Sequence, residues 1–405
     1  MIAGIRGQTF NDKRINGFCF SIKSIIPISM ESTARRLPGL DLLRAIAVLW
    51  VITFHFHLLA DDMPLSSFGQ FGWMGVDLFF VLSGFLIGEQ LLRPLARGEK
   101  LSYKNFFIRR TFRTLPNYFF VLALYFLFPL LREHPNIQPL WKFLTFTQNF
   151  GLSRIDARAF SHAWSLCVEE QFYLALPFLA GFVFKGKTAR TLCLWFGIIV
   201  VAGIILRAGI WIYIVKPQEI VLSSISFASF FAEHIYYPTY ARLDGLLVGV
   251  ALALIKVFRP KLWLAMLGHG KRFLVLGLVI LAVVISRSTG HYNLTAAALA
   301  YPLIAFAFGS LLVASLSPKI WISQHHIPGV QFMASLSYVM YLIQKMVFHV
   351  CGQFLHQLGH NSHTFGGFAI MMVVLIIVSF VIYSVIEQPF MNLRQKLLQN
   401  GAYLN

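Results

Sequence analysis

The sequence predicts an all-α integral membrane protein, a bundle of about ten transmembrane helices with both termini cytoplasmic. Three observations lead there. Hydrophobic residues make up 57% of the 405 and charged residues 12%, about half the charged fraction of a soluble domain. The chain divides into about ten apolar runs, each near the roughly 20 residues a bilayer requires. Lys and Arg concentrate in the alternate loops that a cytoplasmic N-terminus would place inside, the positive-inside asymmetry. That distribution also accounts for the formal charge of +18, so the expected partner is the lipid bilayer and no nucleic acid. Cys19, Cys167, Cys193 and Cys351 are scattered without ligand spacing, so neither a disulfide framework nor a metal site is expected.

Residues 1–37 form a basic lead with no apolar core long enough to span. The apolar pieces are broken by Lys23 and Pro27, so no signal peptide is expected. One reading starts translation at Met30, which gives a short basic lead straight into the first helix; N-terminal sequencing tests it. The membrane domain is expected over 38–390 and a cytoplasmic tail over 391–405. The predicted spans are 40–59, 73–92, 114–131, 165–184, 191–215, 241–257, 273–287, 294–315, 334–356 and 367–386.

The first span carries Arg44 and His55 in an otherwise apolar run. Their spacing puts both on nearly one helix face, about 16 Å apart along the axis. Such groups are costly in lipid and should point into the protein. His57 is turned by about 200° from His55, and a packing or headgroup role is expected for it.

The second span has Asp77 near its outer end and Ser83–Gly84 in an aromatic run. Glycine there allows close approach of a neighbouring helix or of a ligand. The following loop carries Arg93, Arg97, Lys100 and Lys104, expected as cytoplasmic anchors, and ends in Arg109, Arg110 and Arg113. These three stand beside aromatics at the membrane surface, where guanidinium groups can grip phosphates. A cytosolic phosphorylated donor follows as an inference.

The fourth span places Glu169 and Glu170 inside a helix that otherwise reads as spanning. Consecutive positions diverge by about 100°, so at most one should face His55. A carboxylate beside an imidazole fixes its tautomer and favours its charged form. In the sixth span, Arg242 and Asp244 could pair across a helix start or line a common cavity. Gln344 and Lys345 lie in the apolar ninth span, where Lys345 is expected to snorkel. Glu387, at the end of the tenth, should pair with basic loops.

These blocks, in this order, resemble the acyltransferase 3 family of integral membrane O-acyltransferases. The resemblance rests on Arg44 and His55, which fit the family's basic residue, ten-residue gap and histidine, and on GVDLFFVLSGFLI at 75–87. RRTFR at 109–113, WSLCVEEQFYLALP at 164–177, ARLDGLLVG at 241–249, SYVMYL at 337–342 and IEQPF at 386–390 complete it. The chain departs from the family at Gln344, where relatives often have His. Some relatives also carry a C-terminal SGNH-hydrolase-type domain, and none is expected within these 405 residues.

The resemblance implies transfer of an acyl group, usually acetyl from acetyl-CoA, to a hydroxyl of an envelope glycan, a glycolipid or a related acceptor. The expected site is a multi-pass protein of the bacterial inner membrane. On this reading Arg44, Arg109, Arg110 and Arg113 bind the acyl-CoA phosphates, and the pantetheine arm runs beside Ser83 and Gly84. His55 acts as general base or forms an acyl-histidine, with Glu169 or Glu170 orienting it. Asp77, Arg242 and Asp244 bind substrate or hold structure. The alternative is a proton-coupled transporter of a sugar or small molecule, since proton relays also place His, Asp, Glu and Arg in membranes.

Overall fold

The structure, a computed structural model, describes residues 37–58, 66–153, 155–183, 189–288 and 292–400. The basic lead, the Met30 start and Cys19 lie outside them. No strand occurs among the described residues. The principal helices are α1 (Pro38–His57), α2 (Gly75–Ala96), α3 (Tyr103–Leu127), α4 (Trp164–Val183), α5 (Ala189–Ile210) and α6 (Asp244–Phe258). They continue with α7 (Pro260–Gly268), α8 (Gly270–Ser288), α9 (Leu294–Ser315), α10 (Val330–Gln357), α11 (Phe365–Ile382) and α12 (Gln388–Asn400).

Among the described residues, five helices are long and apolar enough to cross a membrane: Pro38–His57, Gly72–Ala96, Leu194–Glu219, Leu294–Ser315 and Phe365–Gln399. A sixth results if α7 and α8, bent by 75° at their junction, count as one span. The other expected spans fall on α3, α4, α6 and α10. α9 has the predicted bounds of 294–315, whereas α3 begins eleven residues before its expected span. The arginines of 109–113 therefore belong to a helix and not to a loop.

Glycine sets the closest packing. A methyl added at Gly84 would fall on the Leu246 carbonyl, and one at Gly249 would meet the backbone of Val81 and Phe85. α2 and α6 thus approach backbone to backbone, as small residues permit in membrane helices. Gly84 is filled by this neighbouring helix, so the expectation that it lies along a bound cofactor is corrected to a packing role.

α1 and the 69–75 segment leading into α2 run antiparallel in a fixed register. Gly69 backs onto the Thr53 carbonyl, Gly72 onto that of Trp50 and Gly75 onto that of Ala47. Three residues forward on one strand of the pair match three back on the other. On that register His55 is level with residue 67, two positions ahead of Gly69.

Candidate active site

His55, near the C-terminus of α1, lines two cavities of about 760 and 710 Å³. The first has aromatic walls that include Trp73, Trp164, Tyr236, Tyr301 and Tyr341. The second is bordered by His134, His349, His356 and His363. His55, Leu58, Arg158 and Lys345 line both, so they stand where the two cavities meet.

The ring facing His55 is His162, with centroids 5.9 Å apart. His162 lies in a single turn ahead of α4, in the block SHAWS that the sequence reading passed over. Chain direction is set by Phe160, whose φ of 54° is unusual for a residue with a side chain and costs about 1–3 kcal/mol. Stacking of Phe160 on Tyr125, at 4.4 Å, and a hydrogen bond from its N–H to Glu133 hold that conformation. His162 Nε2 donates to the Leu342 carbonyl at 2.9 Å, which fixes the neutral tautomer with a bare Nδ1. Burial, assisted by the positive charge of Lys345, holds its pKa down at about 3 despite the opposing Leu342 bond. The ring is thus a neutral acceptor beside His55.

The cavity floor rests on two buried ion pairs. Arg242 meets Asp77 at 2.7 Å, and its guanidinium lies 4.4 Å from the Tyr236 ring centre and 4.2 Å from that of Tyr301. Asp244 instead takes a two-pronged bond from Arg207 on α5, at 2.7 and 3.2 Å. Arg242 and Asp244 therefore pair neither with each other nor in one cavity, as had been expected. Each reaches a different helix, and they stiffen the aromatic wall from behind. Arg207, fully buried in an apolar run, was missed in the sequence, although an intramembrane arginine is itself a signal.

A second polar cluster gathers around Arg110, further along α4. Arg110 binds Glu169 at 3.2 Å and Glu170 at 3.3 Å, with its guanidinium 3.8 Å from the Tyr173 ring centre. Glu169 also accepts from Ser83 at 2.9 Å, and Glu170 from Thr114 at 3.2 Å. Two expectations are corrected here. The carboxylates are engaged by Arg110, Ser83 and Thr114 and not by His55; they lie seven and eight residues beyond His162 in the chain, about 11 Å further along α4. Arg110 in turn is engaged by both carboxylates and is not presented to a phosphate, whereas Arg109 and Arg113 are exposed. Ser83 serves the same cluster. Arg44 is partly buried, 3.8 Å from Asp41.

Lys345 does not merely snorkel: its Nζ donates to Ser161 Oγ at 2.9 Å at the cavity junction. Glu387 accepts from Asn117 at 2.7 Å inside the bundle. Chemically, aromatic faces suit the C–H faces of a sugar ring, and a few convergent polar groups fix its orientation. An imidazole at the junction can take a proton from a hydroxyl placed there.

The chain is similar to three bacterial proteins over 55% of its own length in each case. It is 30% identical to the peptidoglycan O-acetyltransferase OatA of Listeria monocytogenes, of which 34% is covered. It is 28% identical to the putative peptidoglycan O-acetyltransferase YrhL of Bacillus subtilis, with 33% covered. To the O-acetyltransferase OatA of Staphylococcus aureus it is 29% identical, with 35% covered. The matched stretch thus spans about a third of each relative. No solved structure matches the fold. Residues 37–384 match the acyltransferase domain, and on that extent the protein belongs to the acyltransferase 3 family.

Proposed function

We propose that the protein is a membrane O-acyltransferase that moves an acetyl group from acetyl-CoA to a hydroxyl of an envelope glycan. The observation that carries this reading is the position of His55 at the meeting point of an aromatic-walled cavity and a second, histidine-lined one. The names of the relatives support peptidoglycan as the acceptor class. The family match favours acyl transfer over proton-coupled transport.

In this mechanism the sugar stacks in the aromatic cavity with one hydroxyl at His55. The imidazole takes the hydroxyl proton as the oxygen attacks the thioester carbonyl, and the CoA thiolate leaves. His162 Nδ1, held neutral, accepts a hydrogen bond and orients either His55 or the hydroxyl. Arg109 and Arg113, exposed at the far end of the bundle, bind the donor phosphates, with Arg44 beside them. The bundle crosses the inner membrane about ten times with both termini cytoplasmic, so donor and acceptor approach from opposite faces. The division into basic lead, membrane domain over 38–390 and cytoplasmic tail belongs to the same proposal.

Radiolabelled acetyl-CoA offered to the purified chain in nanodiscs with isolated peptidoglycan tests the reading. Label is expected in the glycan, and His55→Ala should remove it while leaving the size-exclusion profile unchanged. Near-normal labelling by that variant would take His55 out of the mechanism.

A further inference from the structure

α7 is too short to cross a membrane. Its nine residues extend about 14 Å, about half of the roughly 30 Å hydrocarbon core. One side is tied to the bundle: the Trp263 ring stacks on Phe85 of α2 at 5.9 Å, and the Leu267 carbonyl accepts from Ser317 Oγ at 2.6 Å. These contacts fix the corner at which α8 departs, bent by 75°. α8 runs antiparallel along the span α9, with Gly270 against Ser317 and Gly277 against Leu311. A helix at 75° to one that follows a span lies close to the membrane plane. On the outer side of the corner Leu262, Leu264, Val275 and Leu276 are exposed.

The same corner carries unmatched charge. Arg259 and Lys261 stand at the start of α7, Lys271 and Arg272 at the start of α8, and all four are exposed. The sequence has no Asp or Glu between Asp244 and Glu387, so the neighbouring helices α8 and α9 offer no acidic partner. Among the described residues, no carboxylate pairs with any of the four. Lys256, at the end of α6, shows the contrast. It meets Glu89 of α2 at 2.6 Å, and Glu89 also holds Arg93, so that carboxylate is already taken by two cations.

We propose that the α7–α8 corner is a docking surface for an anionic phospholipid. Arg259, Lys261, Lys271 and Arg272 hold its phosphate headgroup, and the exposed leucines of α7 and the apolar start of α8 lie against its acyl chains. Charge and apolar surface together select this partner. A soluble phosphate would use the cations and leave the leucines uncovered, whereas a neutral lipid would cover the leucines and leave four charges without a counter-ion. The corner contributes no residue to either cavity at His55, so lipid binding and acyl transfer are read separately.

Native mass spectrometry of the full chain in detergent micelles tests this, with phosphatidylglycerol and phosphatidylcholine of the same acyl chains titrated in turn. Phosphatidylglycerol should bind tenfold or more tightly. Arg259→Gln combined with Lys261→Gln, and Lys271→Gln combined with Arg272→Gln, should each lower that preference at least fivefold, since one cation at an anionic surface contributes about fivefold. The four side chains are exposed, so these variants keep the fold. The control is Arg287→Gln, which removes an exposed cation near the other end of α8 and should leave the preference unchanged. An equal loss in that control would make total charge the cause and overturn the site. Equal binding of the two lipids, or an unchanged preference in both double variants, would overturn it as well. Displacement of bound phosphatidylglycerol by acetyl-CoA would assign the cations to a soluble phosphate and contradict the lipid.

Discussion

Arg109, Arg110 and Arg113 read alike in the sequence, and the fold gives them different physics. Arg110 is drawn inward between Glu169 and Glu170 and stacked on Tyr173. Removing one member of such a buried set leaves charge uncompensated and costs about 3–5 kcal/mol. Arg110→Ala should therefore lower thermal stability markedly, as read by fluorescence-detected size exclusion after heating. Exposed Arg109 and Arg113 should contribute within about 0.5 kcal/mol to stability. Their Ala variants should raise the apparent KM for acetyl-CoA about tenfold, the effect of one charge-assisted hydrogen bond worth ~1.5 kcal/mol. The sequence showed which residues were costly in a membrane; it could not show their partners, which come from helices far away in the chain. Glu169 and Glu170 were joined to His55 in the sequence, whereas their partners are Arg110, Ser83 and Thr114. His162 escaped notice because its block was read for its carboxylates. Its depressed pKa of about 3, against about 6.5 in an unfolded chain, carries a sign that can be checked. The unfolded state takes up the proton first as pH falls. Stability is thus fully present above pH 6.5 and declines between 6.5 and about 3, by roughly 1.4 kcal/mol per pH unit. His162→Gln should flatten that acid slope in a thermal-shift series.

At the scale of helices, apolar length was a good guide wherever a helix faces lipid or apolar neighbours, and α9 matches its expected bounds. It misled at α3, whose first turns carry Lys104, Arg109, Arg110 and Arg113. A window that scores charge as loop cannot see that Arg110 is neutralised across the bundle. Ser83–Gly84 illustrates the other ambiguity, between packing and ligand approach. The α6 backbone occupies the space beside Gly84, and Ser83 completes the Arg110 cluster. Gly84→Leu should force α2 and α6 apart. Overpacking of that kind costs about 1–3 kcal/mol or more, so the variant should aggregate at lower temperature than wild type. The same substitution at Gly98, where nothing lies within 4 Å of an added Cβ, meets no such clash, although its φ of 74° favours glycine.

Across the whole molecule, α4 sets the spacing of two polar groups: His162 just ahead of it faces His55, and Glu169 and Glu170, seven and eight residues on, hold Arg110 about 11 Å further along. If the positive end faces the cytoplasm, single cysteines in a cysteine-free background give a simple pattern. One at Arg97 should react with a membrane-impermeant reagent only from the inside, and one at Asn136 only from the outside. The opposite pattern would reverse the assignment of donor and acceptor faces. The central claim is that His55, at the junction of the cavities, performs acyl transfer to an envelope glycan. Mass spectrometry of envelope glycans tests it most directly, comparing cells that lack the gene with cells that express either wild type or His55→Ala at equal levels. One glycan should be heavier by an acetyl group only with wild type; the same acetylated species in cells carrying His55→Ala would contradict the account.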